Sequence, residues 1–255
     1  MQNMKEMSVR AIKSSIITVK DNLLEVLSQT FQASIQTGRR TVKTSRIHEG
    51  DILVITSKVV AVTQGRVITV NNQNEFDALV KRESNKLIGG KKVTLTLKNG
   101  IFTPWAGIDR SNTKKGTAVL WPKNPQKVAT DVRAWLKKTY KLRKIGVIIV
   151  DSFCAPLRKG VIGIALAHSG FEGVRDKRGT KDLYGNSLKF TQEAIADSLA
   201  TMANLAMGQG NEQTPFAIIS GAPVQFTNKK PASLLMPTKD CLYGELYHFN
   251  RRVKK

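Results

Sequence analysis

The run from Ile145 to Val150 is the feature that most restricts how this chain can fold. It is short, continuous, apolar and rich in β-branched side chains, which is typical of a strand buried on both faces of a sheet. Asp151 and Ser152 end the run, and a basic turn follows. Ligands are often bound at the end of such a strand, because the strand fixes the position of the loop after it. A turn-capping role for Asp151 is the alternative.

The other predicted elements mix helices and strands without a regular βαβ order. A helical apolar pattern begins at Leu23, with Asp21 placed to cap the helix, and another helix begins at Asn124 and Pro125. This mixture predicts an α+β fold of mixed sheets with packed helices rather than a doubly wound sheet. A long helix is predicted before Met207, and the residues expected on its buried side are Ile195, Leu199, Met202 and Leu205.

A single unit spanning residues 1–255 is expected, since no repeat, low-complexity segment or obvious linker divides the chain. The sequence contains no run of about eighteen apolar residues and no secretory signal at its N-terminus, so no membrane partner is expected. Cys154 and Cys241 stand far apart without a second cysteine pair. Together these features predict a cytoplasmic protein with reduced thiols.

The charge of the chain is strongly positive. It has 41 Lys and Arg against 19 Asp and Glu, a formal net charge of +22. Such an excess favours polyanionic partners, which include nucleic acid, phosphorylated ligands and acidic metabolites. A basic, non-catalytic nucleic-acid-binding protein is therefore one candidate, although the aromatic and basic signatures of RNA-binding modules are missing.

The usual nucleotide-binding and acid–base motifs are absent from the sequence. Asn85 stands where a phosphate-binding loop needs its first glycine, and Lys92 stands where it needs Ser or Thr. His168 has no second histidine or cysteine nearby in the sequence. A hydrogen-bonded structural role is therefore predicted for His168.

Acidic and small polar residues stand at the ends of three separate segments. Asp109 and Asn112 lie in a predicted turn, Asp151 and Ser152 end the central strand, and Gln209 follows the long helix. Oxygen ligands from separate loops are what Mg²⁺ or Mn²⁺ requires, usually one or two carboxylates completed by water and phosphate oxygens. The segments therefore predict a divalent-cation site, with three unrelated turns as the alternative.

Five segments, taken together and in order, resemble one known family. They are GDILVITSK, AGIDRSN, VDSFCAPLRKG, RDKRGTKDLYG and ADSLATMANLAMG. The family is that of the γ-glutamyl ligases, typified by the enzyme that adds L-glutamate to the deazaflavin coenzyme F-420. The resemblance covers roughly residues 14–226 and leaves 227–255 as a C-terminal extension. It implies an unusual, family-specific α+β fold and an intertwined homodimer.

This resemblance also implies an activity. A GTP-dependent ligase of this family adds L-glutamate to the terminal carboxylate of an anionic coenzyme acceptor through an acyl phosphate, using two Mg²⁺ or Mn²⁺ ions. A monovalent cation is a further candidate cofactor. By the resemblance, the catalytic residues Asp109 and Asp151 hold the first metal, and Ser152 and Gln209 hold the second. The expected GTP contacts are Ser14, Ser15, Ile16, Ile17, Ser57, Lys58, Asn112, Met207, Gly208, Gly210 and Asn211. The anionic substrates are assigned to Arg158, Arg178 and Tyr184.

The chain departs from the family pattern at positions that bear on the acceptor. Val62 and Gln64 stand where the family commonly has a lysine and a glutamate, and Cys154 begins a four-residue replacement of the usual Gly-Arg-Pro-Trp. Loss of a lysine should penalise the deazaflavin, which carries a phosphodiester, more than a folate, which carries only carboxylates. We therefore hypothesise a slight preference for a reduced folate ending in glutamate, with the deazaflavin as a close second.

Overall fold

A computed structural model of the protein describes residues 6–32, 35–37, 40–42, 46–90 and 92–244. The rest of the predicted C-terminal extension, 245–255, lies outside the described residues. The predicted α+β fold is confirmed, since helices and sheets alternate irregularly along the described chain. The helices are α1 (Leu23–Gln32), α2 (Ser57–Thr63), α3 (Gln73–Glu83), α4 (Pro125–Tyr140) and α5 (Ile195–Met207). The strands are β1 (Ser8–Ile12), β2 (Ile35–Thr37), β3 (Arg40–Val42), β4 (Ile52–Thr56), β5 (Val67–Thr69), β6 (Lys86–Gly89), β7 (Leu95–Lys98), β8 (Ile101–Pro104), β9 (Thr117–Val119), β10 (Gly146–Phe153), β11 (Ile162–Ser169), β12 (Arg175–Asp176), β13 (Gln192–Glu193) and β14 (Phe216–Ser220).

The main sheet has five strands in the order β1-β14-β4-β10-β11. Strands β4 and β10 run parallel, and the other neighbours in this sheet are antiparallel. The predicted central strand is β10, and its residues from Gly146 to Val150 are all buried. The antiparallel pair β10–β11 contains a register shift between Ile149 and Val150. This irregularity lies directly before Asp151, where the strand leaves the core.

Helices cover both faces of this sheet. The main apolar cluster joins α1, α2 and α4 to alternate sheet residues, among them Ile55, Val147 and Ile149. Helix α5 packs on β11, β10, β14 and β1. The prediction that Leu205 lies on the buried side of α5 is wrong, since Leu205 is 84% exposed. Ala203 and Asn204 are buried in this part of the helix instead.

The N-terminus of α1 also differs from the prediction. Asn22 caps the helix, with its side-chain oxygen accepting hydrogen bonds from the backbone N–H groups of Leu24 and Glu25. Asp21 instead accepts hydrogen bonds from the backbone and hydroxyl groups of Thr18. The two neighbours are both good capping residues, so the sequence alone favoured the wrong one.

Contacts between residues divide the chain into two compact units. The described residues up to Thr69 form one unit with 109–232, and this unit contains the main sheet. Residues 70–108 form the other with the described residues from Ser233 onward, and it contains α3 and the three-stranded sheet β6-β7-β8. The expectation of one functional unit remains a prediction. None of the helices in the described part of the chain has the length and apolar character needed to cross a membrane.

Candidate active site

The end of β10 presents two neighbouring polar side chains to opposite faces of the sheet. Asp151 pairs with Ile164 of β11, and Ser152 pairs with Gly163. Because side chains alternate along a strand, Asp151 lies on the same face as Ile149, the face covered by α2 and α4. Ser152 lies on the other face, toward α5. A single strand therefore supplies polar groups to two sides of one site.

Asp151 is held by hydrogen bonds to both carboxylate oxygens. The Ser57 hydroxyl donates to Oδ1 at 2.9 Å, and the Trp121 indole N–H donates to Oδ2 at 2.5 Å. Burial raises the pKa of Asp151 to about 6, although these two hydrogen bonds act in the opposite direction. Ser57, expected to contact GTP, thus contacts the carboxylate in this structure. Trp121 was not predicted from the sequence.

Asp109 faces the same site from a different segment. The Lys58 ammonium lies 2.5 Å from its Oδ2, and Ser111 donates its backbone N–H to Oδ1 at 2.7 Å. The Ser111 hydroxyl donates to Oδ2 at 3.0 Å. Burial acts to raise the pKa of Asp109, but Lys58 and Ser111 outweigh it and hold that pKa below its ordinary value. Asp109 is therefore an ionised carboxylate at neutral pH.

Gln209 reaches the site from the end of α5. Gly208 ends this helix with a φ of 78°, a conformation that favours glycine, and the chain turns there. The Ser152 hydroxyl donates to Gln209 Oε1 at 2.8 Å, and Gln209 Nε2 donates to Asn204 Oδ1 at 2.9 Å. Ser152 and Gln209, paired by prediction, are thus in direct contact. The buried Asn204, which also lines the cleft, was not predicted.

A cleft of about 420 Å³ joins these groups. Asn112 closes one part of it by donating its side-chain N–H to the backbone oxygen of Gly210 at 2.7 Å. Apart from Ser57, all the residues predicted to contact GTP or metal line this cleft. They are Ser14, Ser15, Ile16, Ile17, Lys58, Asp109, Asn112, Asp151, Ser152, Met207, Gly208, Gln209, Gly210 and Asn211.

The three residues assigned to the anionic substrates do not line the cleft. Arg158 is exposed in the turn after β10. Arg178 forms an ion pair with Asp176 at 2.5 Å, and Tyr184 is 90% exposed. Their assignment therefore stays a prediction.

The departures from the family pattern at Val62 and Gln64 fall in different places. Val62 lines the cleft. Gln64 instead exchanges hydrogen bonds with the backbone of Lys123, through its Nε2 at 3.0 Å and its Oε1 at 2.7 Å. Only Val62 is thus placed to change the lining of the cleft.

His168 is buried, with 1% of its surface exposed. Its ring lies 5.3 Å from that of Phe171, centroid to centroid. Within the described part of the chain, however, its Nδ1 has no hydrogen-bond partner. The predicted structural position is therefore observed, but this ring nitrogen lacks the hydrogen bond expected of it.

The donor set of the cleft suits a hard divalent cation. Asp109, Asp151, Ser152 and Gln209 offer two carboxylates, a hydroxyl and an amide oxygen. Among the described residues, no three His, Cys, Asp or Glu side chains form a metal-binding group, so no closed zinc-like cage is present there. One or two carboxylates with neutral oxygens are instead typical of Mg²⁺ sites that water and phosphate oxygens complete.

Comparison with known proteins places the chain in a family of ligases. The family model F420-0:Gamma-glutamyl ligase matches residues 11–221, and the chain belongs to this family of ligases. The coenzyme F420:L-glutamate ligase of Methanococcus maripaludis strain S2 is 37% identical over 220 residues, which cover 79% of this chain and 88% of that protein. The ligase of the same description from Methanocaldococcus jannaschii is 37% identical over 215 residues, 77% of this chain and 86% of that protein. The one from Archaeoglobus fulgidus is 33% identical over 196 residues, 70% and 78% respectively.

Proposed function

We propose that this protein is a GTP-dependent γ-glutamyl ligase that adds L-glutamate to the terminal carboxylate of a deazaflavin coenzyme of the F420 type. The observation that carries the proposal is the cleft, which gathers Asp109, Asp151, Gln209 and Lys58 from four separate segments of the chain. The relatives are named as ligases of coenzyme F420 and L-glutamate, which supports the same acceptor and the same amino acid.

A carboxylate does not condense with an amine in water unless one of its oxygens becomes a leaving group. In the proposed reaction, the acceptor carboxylate attacks the γ-phosphorus of GTP, which gives an acyl phosphate and GDP. The α-amine of glutamate then attacks the acyl carbon, and phosphate leaves as the amide bond forms. In both steps the protein has to hold the reacting groups in line and offset negative charge.

The residues of the cleft can meet these needs. Asp109, Asp151, Ser152 and Gln209 would hold Mg²⁺ or Mn²⁺, whose charge neutralises phosphate oxygens when bound. Lys58 supplies a positive charge beside Asp109, and 207–214 line the cleft where the nucleotide would lie. Ser57 and Trp121 keep the Asp151 carboxylate in one orientation. A monovalent cation is a further cofactor in this proposal.

The deazaflavin is favoured over a folate because the relatives carry the deazaflavin coenzyme in their names. The argument for a folate rests on the loss of a lysine at Val62, which lines the cleft. Gln64 bonds to the backbone of Lys123 and does not bear on that argument. A reduced folate remains the second acceptor to test.

We also propose that the protein acts as a homodimer. The segment between β12 and β13 exposes large apolar side chains, with Leu183 at 101% and Phe190 at 89% of their free surface. Leu157, in the turn after β10, is exposed to a similar degree, at 105%. Exposed apolar groups of this size suit an interface between protein chains. A mass near twice 28.2 kDa in solution would support the dimer, and a monomer that ligates glutamate would exclude it.

The reaction can be tested with the purified protein, GTP, Mn²⁺, L-glutamate and the deazaflavin acceptor without its glutamate. The expected products are the acceptor with one more glutamyl residue, seen by mass spectrometry, together with GDP and phosphate. A parallel reaction with a reduced folate tests the second acceptor. No ligation with either acceptor, together with nucleic-acid binding that falls steeply with salt, would favour the basic nucleic-acid-binding protein.

A further inference from the structure

A buried asparagine in the lining of the cleft is hydrogen-bonded to Gln209. Asn204 lies on α5 and is 8% exposed. Its Oδ1 accepts a hydrogen bond from Gln209 Nε2 at 2.9 Å, and Gln209 Oε1 accepts one from the Ser152 hydroxyl at 2.8 Å. The three side chains thus form a short chain of hydrogen bonds from the helix to the end of β10.

The chemistry of the amide makes this arrangement directional. A glutamine side chain has an oxygen that accepts hydrogen bonds or binds cations and an NH₂ group that only donates. Rotation of the amide by half a turn would place the NH₂ group beside Ser152. Gln209 is itself exposed in the loop after α5, but the Asn204 oxygen can pair only with its NH₂ group. With Asn204 Oδ1 toward Gln209, both hydrogen bonds form only in the orientation that places Oε1 beside Ser152.

Close packing brings Asn204 to this position. Gly163 of β11 pairs with Ser152, and a Cβ atom at Gly163 would lie 2.5 Å from the backbone oxygen of Ala200 and 2.7 Å from Asn204 Cβ. The Thr201 hydroxyl also donates to the Gly163 backbone oxygen at 2.7 Å. Only glycine allows α5 to lie so near the strand pair that carries Ser152.

We propose that Asn204 is a positioning residue that holds the Gln209 amide with its oxygen toward Ser152, and so maintains the second cation position. This inference rests on the proposed function, since it concerns the cation that Ser152 and Gln209 would hold. Asn204 acts through Gln209 and does not itself need to contact a substrate.

The test measures Mn²⁺ binding to the full chain at a fixed, saturating concentration of a non-hydrolysable GTP analogue, by the EPR signal of free Mn²⁺, because phosphate oxygens complete a position whose protein ligands are neutral. Asn204→Leu keeps the size of the side chain but removes the acceptor, whereas Asn204→Asp keeps an acceptor. We expect Asn204→Leu to weaken one of the two bound Mn²⁺ ions about tenfold and to leave the other unchanged, as loss of a supporting hydrogen bond does at metal sites. Asn204→Asp should bind both ions at least as well as the unsubstituted protein does.

Leu205→Ala is the matched control on the same helix, since Leu205 is 84% exposed and faces away from Asn204 and Gln209. It leaves both of these residues intact, so it should not change Mn²⁺ binding. Equal Mn²⁺ binding by Asn204→Leu and the unsubstituted protein would overturn the positioning role. If Asn204→Leu does not fold, loss of Mn²⁺ binding in Asn204→Asp would overturn it instead. Failure of the unsubstituted protein to bind Mn²⁺ would overturn the cation sites and this inference together. If the variants bind Mn²⁺ as expected but the unsubstituted protein does not ligate glutamate, the proposed reaction is overturned and the positioning role of Asn204 stands.

Discussion

Trp121 donates its indole N–H to Oδ2 of Asp151 from a ring that is only 6% exposed. The two residues come from different segments of the chain, and the ring occupies a fixed place in the core. Since Ser57 binds the other oxygen, the carboxylate is held at both ends. A metal ligand held in this way loses little freedom when a cation binds.

Trp121→Phe should therefore weaken Mn²⁺ binding without unfolding the protein. Phenylalanine keeps most of the apolar contact but cannot donate a hydrogen bond, and loss of such a partner typically costs about tenfold in metal affinity. Trp135→Phe is the control, because Trp135 lies on α4 with its ring against Tyr140. Equal Mn²⁺ affinity in the two variants, measured by EPR, would contradict the role of Trp121.

Asp109→Ala and Asp151→Ala should each abolish glutamate ligation while the protein stays folded. Each change removes a proposed cation ligand without emptying the apolar core, as thermal melting followed by circular dichroism can check. Ser152→Ala should be milder, since a hydroxyl is a weak ligand and water can replace it. Asp131→Ala, at an exposed pair with Lys127, is the control. Full activity of Asp109→Ala or Asp151→Ala with Mn²⁺ present would show that the carboxylate removed is not needed for ligation.

Lys58→Met should have opposite effects on two measurements. Without nucleotide, Mn²⁺ should bind about tenfold more tightly, because a positive charge 2.5 Å from Asp109 has been removed. Ligation with GTP should slow, because the proposed charge beside the phosphates is lost. Lys20→Met, at an exposed lysine outside this cleft, should change neither value. Unchanged Mn²⁺ binding in Lys58→Met would mean that cations do not bind beside Asp109.

Mn²⁺ affinity should depend on pH through Asp151. Burial raises the pKa of this carboxyl to about 6, and a proton competes with the metal for the same oxygens. The affinity should be nearly constant above about pH 7 and fall about tenfold for each pH unit well below that pKa. Titrations by EPR between about pH 5 and pH 8 measure this. A constant affinity over the whole range would exclude Asp151 as a ligand with a raised pKa.

The folded state should lose stability in mild acid because of His168. Burial lowers the pKa of this imidazole below its ordinary value of 6.5, so the unfolded chain takes up the proton first. The contribution of neutral His168 to the free energy of unfolding is thus complete above pH 6.5, and it is lost as the pH falls from 6.5 toward the lowered pKa. His168→Phe should flatten the dependence of the melting temperature on pH in this range. A slope for His168→Phe equal to that of the unsubstituted protein would exclude His168 as the cause.

Local patterns in the sequence predicted β10 and the α+β class, whereas most of the residues that line the cleft were named by the resemblance to the ligase family. The apolar run before Asp151 and the position of Gln209 after α5 can each be recognised from a few neighbouring residues of the sequence. Trp121 and Asn204 were missed because their partners, Asp151 and Gln209, meet them only after the sheet and helix have packed. The exposure of Leu205 was missed for a similar reason, since small residues on the other side of α5 allow the helix to approach the sheet closely.

The backbone hydrogen bonds of Asp109 bear on which changes of length the segment before it can accept. Asp109 exchanges both backbone hydrogen bonds with Val119 of β9, while Thr69 at the end of β5 pairs with Thr117 of the same strand. The stretch between these two pairings, 70–108, thus begins after a strand that pairs with β9 and ends before a residue that pairs with β9. Both ends of this stretch are held by the same strand, so insertions, deletions or replacements within it are compatible with an unchanged position of the Asp109 carboxylate.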